Sequence, residues 1–178
     1  MQTEIFVAGF GGQGVLFAGQ LLSYAALGEG KETTWIPSYG PEMRGGTANC
    51  TVVISDEEIG SPMVRNPQAV VAMNLPSLDK YEKMVRKDGY LVVDTSMTNR
   101  EVERKDIHTV CLPATQIAEE LGDKRLTNIV LLGALIHVSN YFGQAELENA
   151  LKKSLEGKNT ELVAMNIIAL QRGFEYNN

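Results

Sequence analysis

The sequence predicts an α/β fold, a three-layer α/β/α sandwich around a Rossmann-like, mostly parallel but mixed sheet. Short β-branched and aromatic runs alternate with helical segments over the first two thirds of the chain, and helices close it. The first of these runs ends directly on Gly9-Phe10-Gly11-Gly12-Gln13-Gly14, the glycine-rich turn that leads from strand to helix in nucleotide-binding α/β proteins. With 178 residues, 44% of them hydrophobic, the chain is read as a single domain over 1–178 with one core.

Taken in order, residues 4–8 (Glu-Ile-Phe-Val-Ala) form a buried parallel strand. Residues 14–27 are apolar on nearly every face, so that helix is expected to be packed on more than one side. Gly28-Glu29-Gly30 stops it, and residues 32–36 (Glu-Thr-Thr-Trp-Ile) give a second strand. Residues 47–55 give a third. The segment 40–46 before it is too short for a crossover helix, so this strand is expected to run antiparallel and the sheet to be mixed. A strand at 69–73 follows Pro67, and Pro76 opens a helix reaching about residue 86, at a position where its missing N–H costs little. Asp88-Gly89 turns the chain into a strand at 90–94 that ends on Asp94, and a last strand covers 107–112. Helices follow at 114–121, at 127–141 with Thr127 as N-cap, at 144–155 and at 161–172.

Composition excludes several classes of function. Sixteen basic against twenty-two acidic residues give a net charge of -6, and no basic cluster exceeds Arg104-Lys105 or Lys124-Arg125, so nucleic acid is not an expected partner. No basic segment precedes an apolar run near the N-terminus, and the most apolar stretch, 129–138, is about half the roughly 20 residues of a membrane span. A soluble, cytoplasmic protein without a membrane partner is expected. Cys50 and Cys111 have no second Cys or His at ligand spacing, so no metal, disulfide framework or iron–sulfur cluster is assigned to the chain. Ser23, Ser38, Ser61 and Ser96 lack a nucleophile-elbow setting, and His108 and His137 read as core or surface residues. No catalytic residue is assigned to this chain alone.

Gly9-x-Gly11-x-x-Gly14 has the spacing that lets backbone approach a pyrophosphate at a helix N-terminus. Its complement is missing: Trp35-Ile36-Pro37-Ser38 stands where a ribose-binding carboxylate belongs, and Glu29 and Glu32 precede that strand. Close helix–sheet packing by the glycines remains open beside anion binding. No Gly-Lys-Ser or Gly-Lys-Thr follows Gly14, which excludes a nucleoside-triphosphate loop. A second glycine-rich segment, Ser38-Tyr39-Gly40-Pro41-Glu42-Met43-Arg44-Gly45-Gly46, carries a lone cation. Arg44 is sterically free to bind a carboxylate or phosphate bidentately, or else to pair with Glu42 or a carboxylate on a neighbouring loop. Tyr39, Pro41 and Met43 are large apolar groups on an exposed loop, which suits contact with another chain or a ligand. Two such loops suggest one site. Asp94 is read either as a hydrogen-bonding partner of these loops or as a turn and cap residue.

Phe10-Gly11-Gly12-Gln13-Gly14, the run from Pro37 to Gly46, and Asn128-Ile129-Val130-Leu131-Leu132-Gly133-Ala134 together resemble the gamma subunits of 2-oxoacid:ferredoxin oxidoreductases, the pyruvate/ketoisovalerate/2-oxoglutarate family. The likeness covers nearly the whole chain. It implies a complex of anaerobic metabolism that oxidatively decarboxylates a 2-oxoacid, transfers the acyl group to coenzyme A and passes electrons to ferredoxin. By the same resemblance, thiamine diphosphate and magnesium sit between alpha and beta subunits, and iron–sulfur clusters lie on beta and often on a small delta subunit. Gly11, Gly12, Gln13 and Gly14 would offer backbone N–H groups to a coenzyme A phosphate, with Arg44, Gly45 and Gly46 completing the cofactor-binding set. Tyr39, Pro41, Glu42 and Met43 would face the active-site subunits. The resemblance favours 2-oxoglutarate and leaves pyruvate and 2-oxoisovalerate open, and the beta subunit of indolepyruvate oxidoreductases carries a similar glycine loop. Rival readings are a stand-alone dinucleotide-binding oxidoreductase and a purely structural assembly subunit. An isolated chain would be able to form a homodimer through the face meant for its partners.

Overall fold

The sheet is built outward from β1 (Gln2–Phe10), whose Ile5, Val7 and Ala8 are almost completely buried. In the computed structural model, which describes residues 2–41 and 44–176, β1 leads into α1 (Val15–Gly28) and then β2 (Glu32–Tyr39) and β3 (Thr47–Ser55). The chain continues through β4 (Ala69–Ala72), α2 (Leu75–Tyr81), β5 (Tyr90–Asp94) and β6 (His108–Leu112). It closes with α3 (Ala114–Glu120), α4 (Thr127–Ser139), α5 (Gln144–Ser154) and α6 (Thr160–Phe174). The strand order is β2-β3-β1-β4-β5-β6. β1, β4, β5 and β6 pair in parallel, whereas β3 is antiparallel to both β1 and β2. The expected mixed, mostly parallel sheet is present, and the short segment before β3 accounts for its reversed direction.

Strand alternation sorts the core into two layers. Ile5, Val7, Cys50, Val52, Val71 and Val92 face the larger core with α1, α3, α4, α5 and α6. Phe6, Ala8, Val70, Ala72, Leu91 and Val93 face the smaller one, closed by Leu78, Tyr81 and Val85. β2 lies at the sheet edge, which is why Pro37, unable to donate to a ladder, is tolerated there. Among the described residues no helix is long and apolar enough to cross a membrane.

Three local expectations are corrected or completed. The helix after Pro76 ends at Tyr81 and tightens into a 3-10 turn over Glu82–Met84. There the Glu82 carboxylate turns inward to accept the N–H groups of Glu103 (2.6 Å) and Arg104 (2.9 Å) and to pair with Arg100 (2.7 Å). Thr127 is not the N-cap of α4: a 3-10 turn at Lys124–Leu126 precedes it, and Asp123 caps that turn by accepting the Arg125 N–H. The Thr127 hydroxyl instead donates to Lys124 O at 2.8 Å. Helix α1 packs on the sheet and on α5, but Tyr24 (41% exposed) and Leu27 (55%) stay open, so its outer stripe is apolar without being covered by this chain.

Helices α4 and α6 cross at Gly133 and Gly173. A Cβ on Gly133 would run into Leu170 O, and one on Gly173 into Val130 O, so the two backbones touch directly. Gly173→Ala is expected to lower unfolding free energy by about 3 kcal/mol, since backbone rather than a yielding side chain must move; urea denaturation measures it. Glu82 gives a pH signature. Burial acts to raise its carboxyl, but the Arg104 N–H and the Arg100 guanidinium outweigh that and hold it below the usual range. A carboxyl depressed in the folded state contributes stability above its unfolded pKa, about 4.3, that is lost as pH falls through the folded value. Urea midpoints measured from pH 7 downward should therefore show Glu82→Gln less stable at neutral pH, with a shallower loss below about pH 4.

Candidate functional site

Because β3 runs antiparallel beside β1, the start of β3 meets the end of β1. The last register pair is Phe10 with Thr47, and the ladder then continues past both strands. The Gly11 N–H donates to Gly46 O at 2.8 Å, and the Gly45 N–H donates to Gly11 O at 3.3 Å. Gly45 has φ +73, a left-handed conformation that favours glycine. On the other side of the same loop, the Gly40 N–H donates to Thr47 O at 2.8 Å and extends the β2–β3 pairing. The two glycine-rich segments are thus one continuous platform.

Arg44 is exposed, and among the described residues none forms a hydrogen bond or ion pair with it. Pro41 is exposed, and so is Tyr39, which is the last residue of β2 and pairs with Ala48 instead of lying on the loop. Glu42 and Met43, and with them the alternative pairing of Arg44 with Glu42, lie outside the described residues.

Within the first loop, Gly14 caps α1 at φ +75, and a Cβ there would strike the Asn128 side chain. Asn128 itself donates from Nδ2 to Gly14 O at 3.0 Å, so the third recognisable sequence segment buttresses the first. Gly12, at φ +100, faces open space. Gln13 is bound at several points. Its N–H donates to Phe10 O (3.1 Å), and its Oε1 accepts from the Phe10 N–H (2.6 Å) and from Asn74 Nδ2 (3.2 Å). Its Nε2 donates to Met73 O at 3.3 Å. A Cβ on Gly9 would come within 2.7 Å of Gln13 Oε1 and 3.0 Å of Met73 Cβ, so close packing explains Gly9. Of the four amides expected to serve an anion, those of Gly11 and Gln13 are already bonded inside the platform. Those of Gly12 and Gly14 have no partner among the described residues. Helix α1 begins with no side-chain cap and no acidic residue in its first turn, which leaves the positive end of its dipole uncompensated. The platform offers an anion the backbone N–H groups of Gly12 and Gly14 and the exposed Arg44 side chain.

The remaining candidates have structural occupations. Asp94 is completely buried and accepts from the Ser96 N–H (3.0 Å), the Thr115 N–H (3.3 Å) and the Thr115 hydroxyl (2.5 Å), tying the end of β5 to α3. It is a cap residue and does not reach either loop. His108 stacks on Tyr90 and His137 packs edge-on against Phe174, both at the surface. Burial pushes the Cys50 thiol up to about 12. Cys50 on β3 and Cys111 on β6 stand four strand spacings apart, about 19 Å, too far to share a ligand. Among the described residues no group of three or more His, Cys, Asp or Glu could hold a metal ion. A cavity of about 830 Å³ runs between α1 and α5 past Phe17, Tyr24, Leu27 and Lys153, and includes no residue of either loop. The Gln13 side chain, Asn74 and Asn128 are the functional supports that residue-level reasoning missed. Asn74, directly before Leu75-Pro76, carried a readable helix-cap signal.

A dinucleotide site would require the second strand of the unit beside the first. Here β3 separates β2 from β1, so the end of β2 stands about 9.6 Å away, two strand spacings instead of one.

The architecture is therefore an α/β domain in which an antiparallel strand meets the glycine loop and leaves the amides of Gly12 and Gly14 without a partner among the described residues. The chain matches the family model of pyruvate ferredoxin/flavodoxin oxidoreductases over residues 4–176 and belongs to that family. It is 37% identical to the ketoisovalerate oxidoreductase subunit VorA of Methanothermobacter marburgensis over 98% of its own length but 36% of VorA, so it spans about a third of that relative. It is 40% identical to the 2-oxoglutarate synthase subunit KorC of the same organism, over 98% of this chain and 96% of KorC. Among solved structures, the gamma subunit of a keto/oxoacid ferredoxin oxidoreductase from Geobacter sulfurreducens is similar with a TM-score of 0.82 at 30% identity, covering 97% of this chain and 96% of that one.

Equilibrium dialysis with NAD(H) is expected to detect no saturable binding to the purified chain. Binding tighter than about 100 μM would contradict the strand-spacing argument.

Proposed function

We propose that the chain acts as the gamma subunit of a multisubunit 2-oxoacid:ferredoxin oxidoreductase in the cytoplasm. In this reading it packs on alpha and beta partners, and on a delta subunit where the complex has one, and presents its platform to coenzyme A. The single observation that carries this is the joining of the two loops. It sets the unfilled amides of Gly12 and Gly14 on the segment to which the stretch bearing Arg44 is hydrogen-bonded. Backbone donors and a guanidinium fit the phosphates of coenzyme A, and no acidic side chain stands in the first turn of α1 to oppose them.

Coenzyme A, when bound, supplies the thiol that takes the acyl group. The residues of this chain bind and orient it: Gly12 and Gly14 through N–H groups, Arg44 through charge, and Gly11, Gly45 and Gly46 by keeping the loops together. Tyr39 and Pro41, both exposed, face the partner subunits in this reading, and Glu42 and Met43 are assigned to the same contact from the sequence alone. In this reading thiamine diphosphate, magnesium and the iron–sulfur clusters are held by the other subunits, as the family resemblance implies, and ferredoxin is served through them; the wide separation of Cys50 and Cys111 is in keeping with that. The end-to-end similarity to KorC favours 2-oxoglutarate, and the similarity to VorA keeps 2-oxoisovalerate as the second choice.

Arg44→Ala in the assembled complex is expected to raise KM for coenzyme A about tenfold, the scale of one charge-assisted hydrogen bond. Oxoacid-dependent dye reduction at varied coenzyme A measures it. An unchanged KM in a normally assembled complex would leave the assembly-subunit reading in its stead.

A further inference from the structure

In open α/β sheets, ligands enter the crevice at the carboxyl ends of two neighbouring strands whose helices depart to opposite faces. Here that crevice lies between β1 and β4. β1 hands the chain to α1 on the side of the larger core, and β4 hands it to α2 on the side of the smaller one. The crevice is bridged from within. The Gln13 carboxamide accepts from Phe10 N–H at the end of β1 and from Asn74 Nδ2 at the cap of α2, and it donates to Met73 O at the exit of β4. Asn74 is fixed in turn, because its Oδ1 accepts the Ser77 N–H at 2.9 Å. Only a glycine at position 9 leaves room for this carboxamide.

We infer that Gln13 is a positioning residue for coenzyme A: its side chain closes the switch-point crevice and latches the glycine loop, leaving Gly12 and Gly14 as the amides that receive phosphate. The inference rests on the coenzyme A reading above. The loop is held on one side by Gln13 across the crevice and on the other by the Gly11–Gly46 bond, so its remaining donors are fixed before any ligand arrives. Preorganised donors bind without the cost of ordering the loop. A ligand lying across the crevice between β1 and β4, as an extended dinucleotide does, would have to displace three hydrogen bonds.

The test uses the assembled complex with Gln13→Ala, and with Gln13→Met, which fills similar space without hydrogen bonds. Both are expected to raise KM for coenzyme A about tenfold while kcat at saturating coenzyme A and KM for the oxoacid stay within about twofold. Wild-type KM for coenzyme A in both variants would overturn the inference. So would wild-type KM in the Met variant alone, which would reduce Gln13 to a space filler, or a fall in kcat and thermal stability without a change in KM. Arg44→Ala in the same assay separates the two levels. If it raises KM and the Gln13 variants do not, the latch fails and the coenzyme A reading stands; if none of the three does, both fail.

Discussion

The antiparallel pairing of β3 with β1 is the constraint on which the site depends. Nine register pairs, from Gln2 with Ser55 to Phe10 with Thr47, fix where β3 begins relative to where β1 ends. A parallel strand in that position would begin at the opposite edge of the sheet, and the segment carrying Arg44 would lie a strand length away from the glycine loop. Reversal of one strand brings a second loop to the mouth of the first, and the hydrogen bonds of Gly11 with Gly46 and Gly45 extend the ladder into the site itself. The same reversal moves β2 to the edge and removes the neighbour that a dinucleotide-binding unit needs.

The platform is rigid because each support comes from a different part of the chain. Asn128 at the start of α4 holds Gly14, Asn74 before α2 holds Gln13, and Gly46 at the entry to β3 holds Gly11. Helix α1 sits low on the sheet since Gly19 admits Trp35 and Cys50 where any side chain would collide. The crossing of α4 and α6 at Gly133 and Gly173 in turn brings their backbones together behind it. Glycine therefore serves two purposes here. At positions 9, 19, 133 and 173 it permits close approach, and at positions 12, 14 and 45 it permits left-handed backbone.

Most of the secondary structure was legible in the sequence because its signals are local. β-branched runs bounded by glycine, proline and charge located all six strands, and the shortness of the 40–46 segment gave the direction of β3. The joining of the two loops was anticipated, but the amides that remain free were not, since that depends on which donors the fold itself uses. Gln13 read as one member of a backbone motif, whereas its side chain does as much as its amide, through Asn74 and Met73 sixty residues away. Thr127 carried a cap signal that Asp123 takes over four residues earlier, because a 3-10 turn precedes α4. The Gly133–Gly173 crossing was invisible to periodicity, which describes one helix at a time.

The most direct measurement of the central claim is native-state hydrogen exchange at the Gly11 amide. If the two loops are one platform, Gly11 should be protected to about the same degree as the amides of the β1–β3 ladder that it extends, while Gly12 exchanges at the rate of an open loop. Equally fast exchange at Gly11 and Gly12 would mean that the loops are independent and that the proposed site does not exist as a unit.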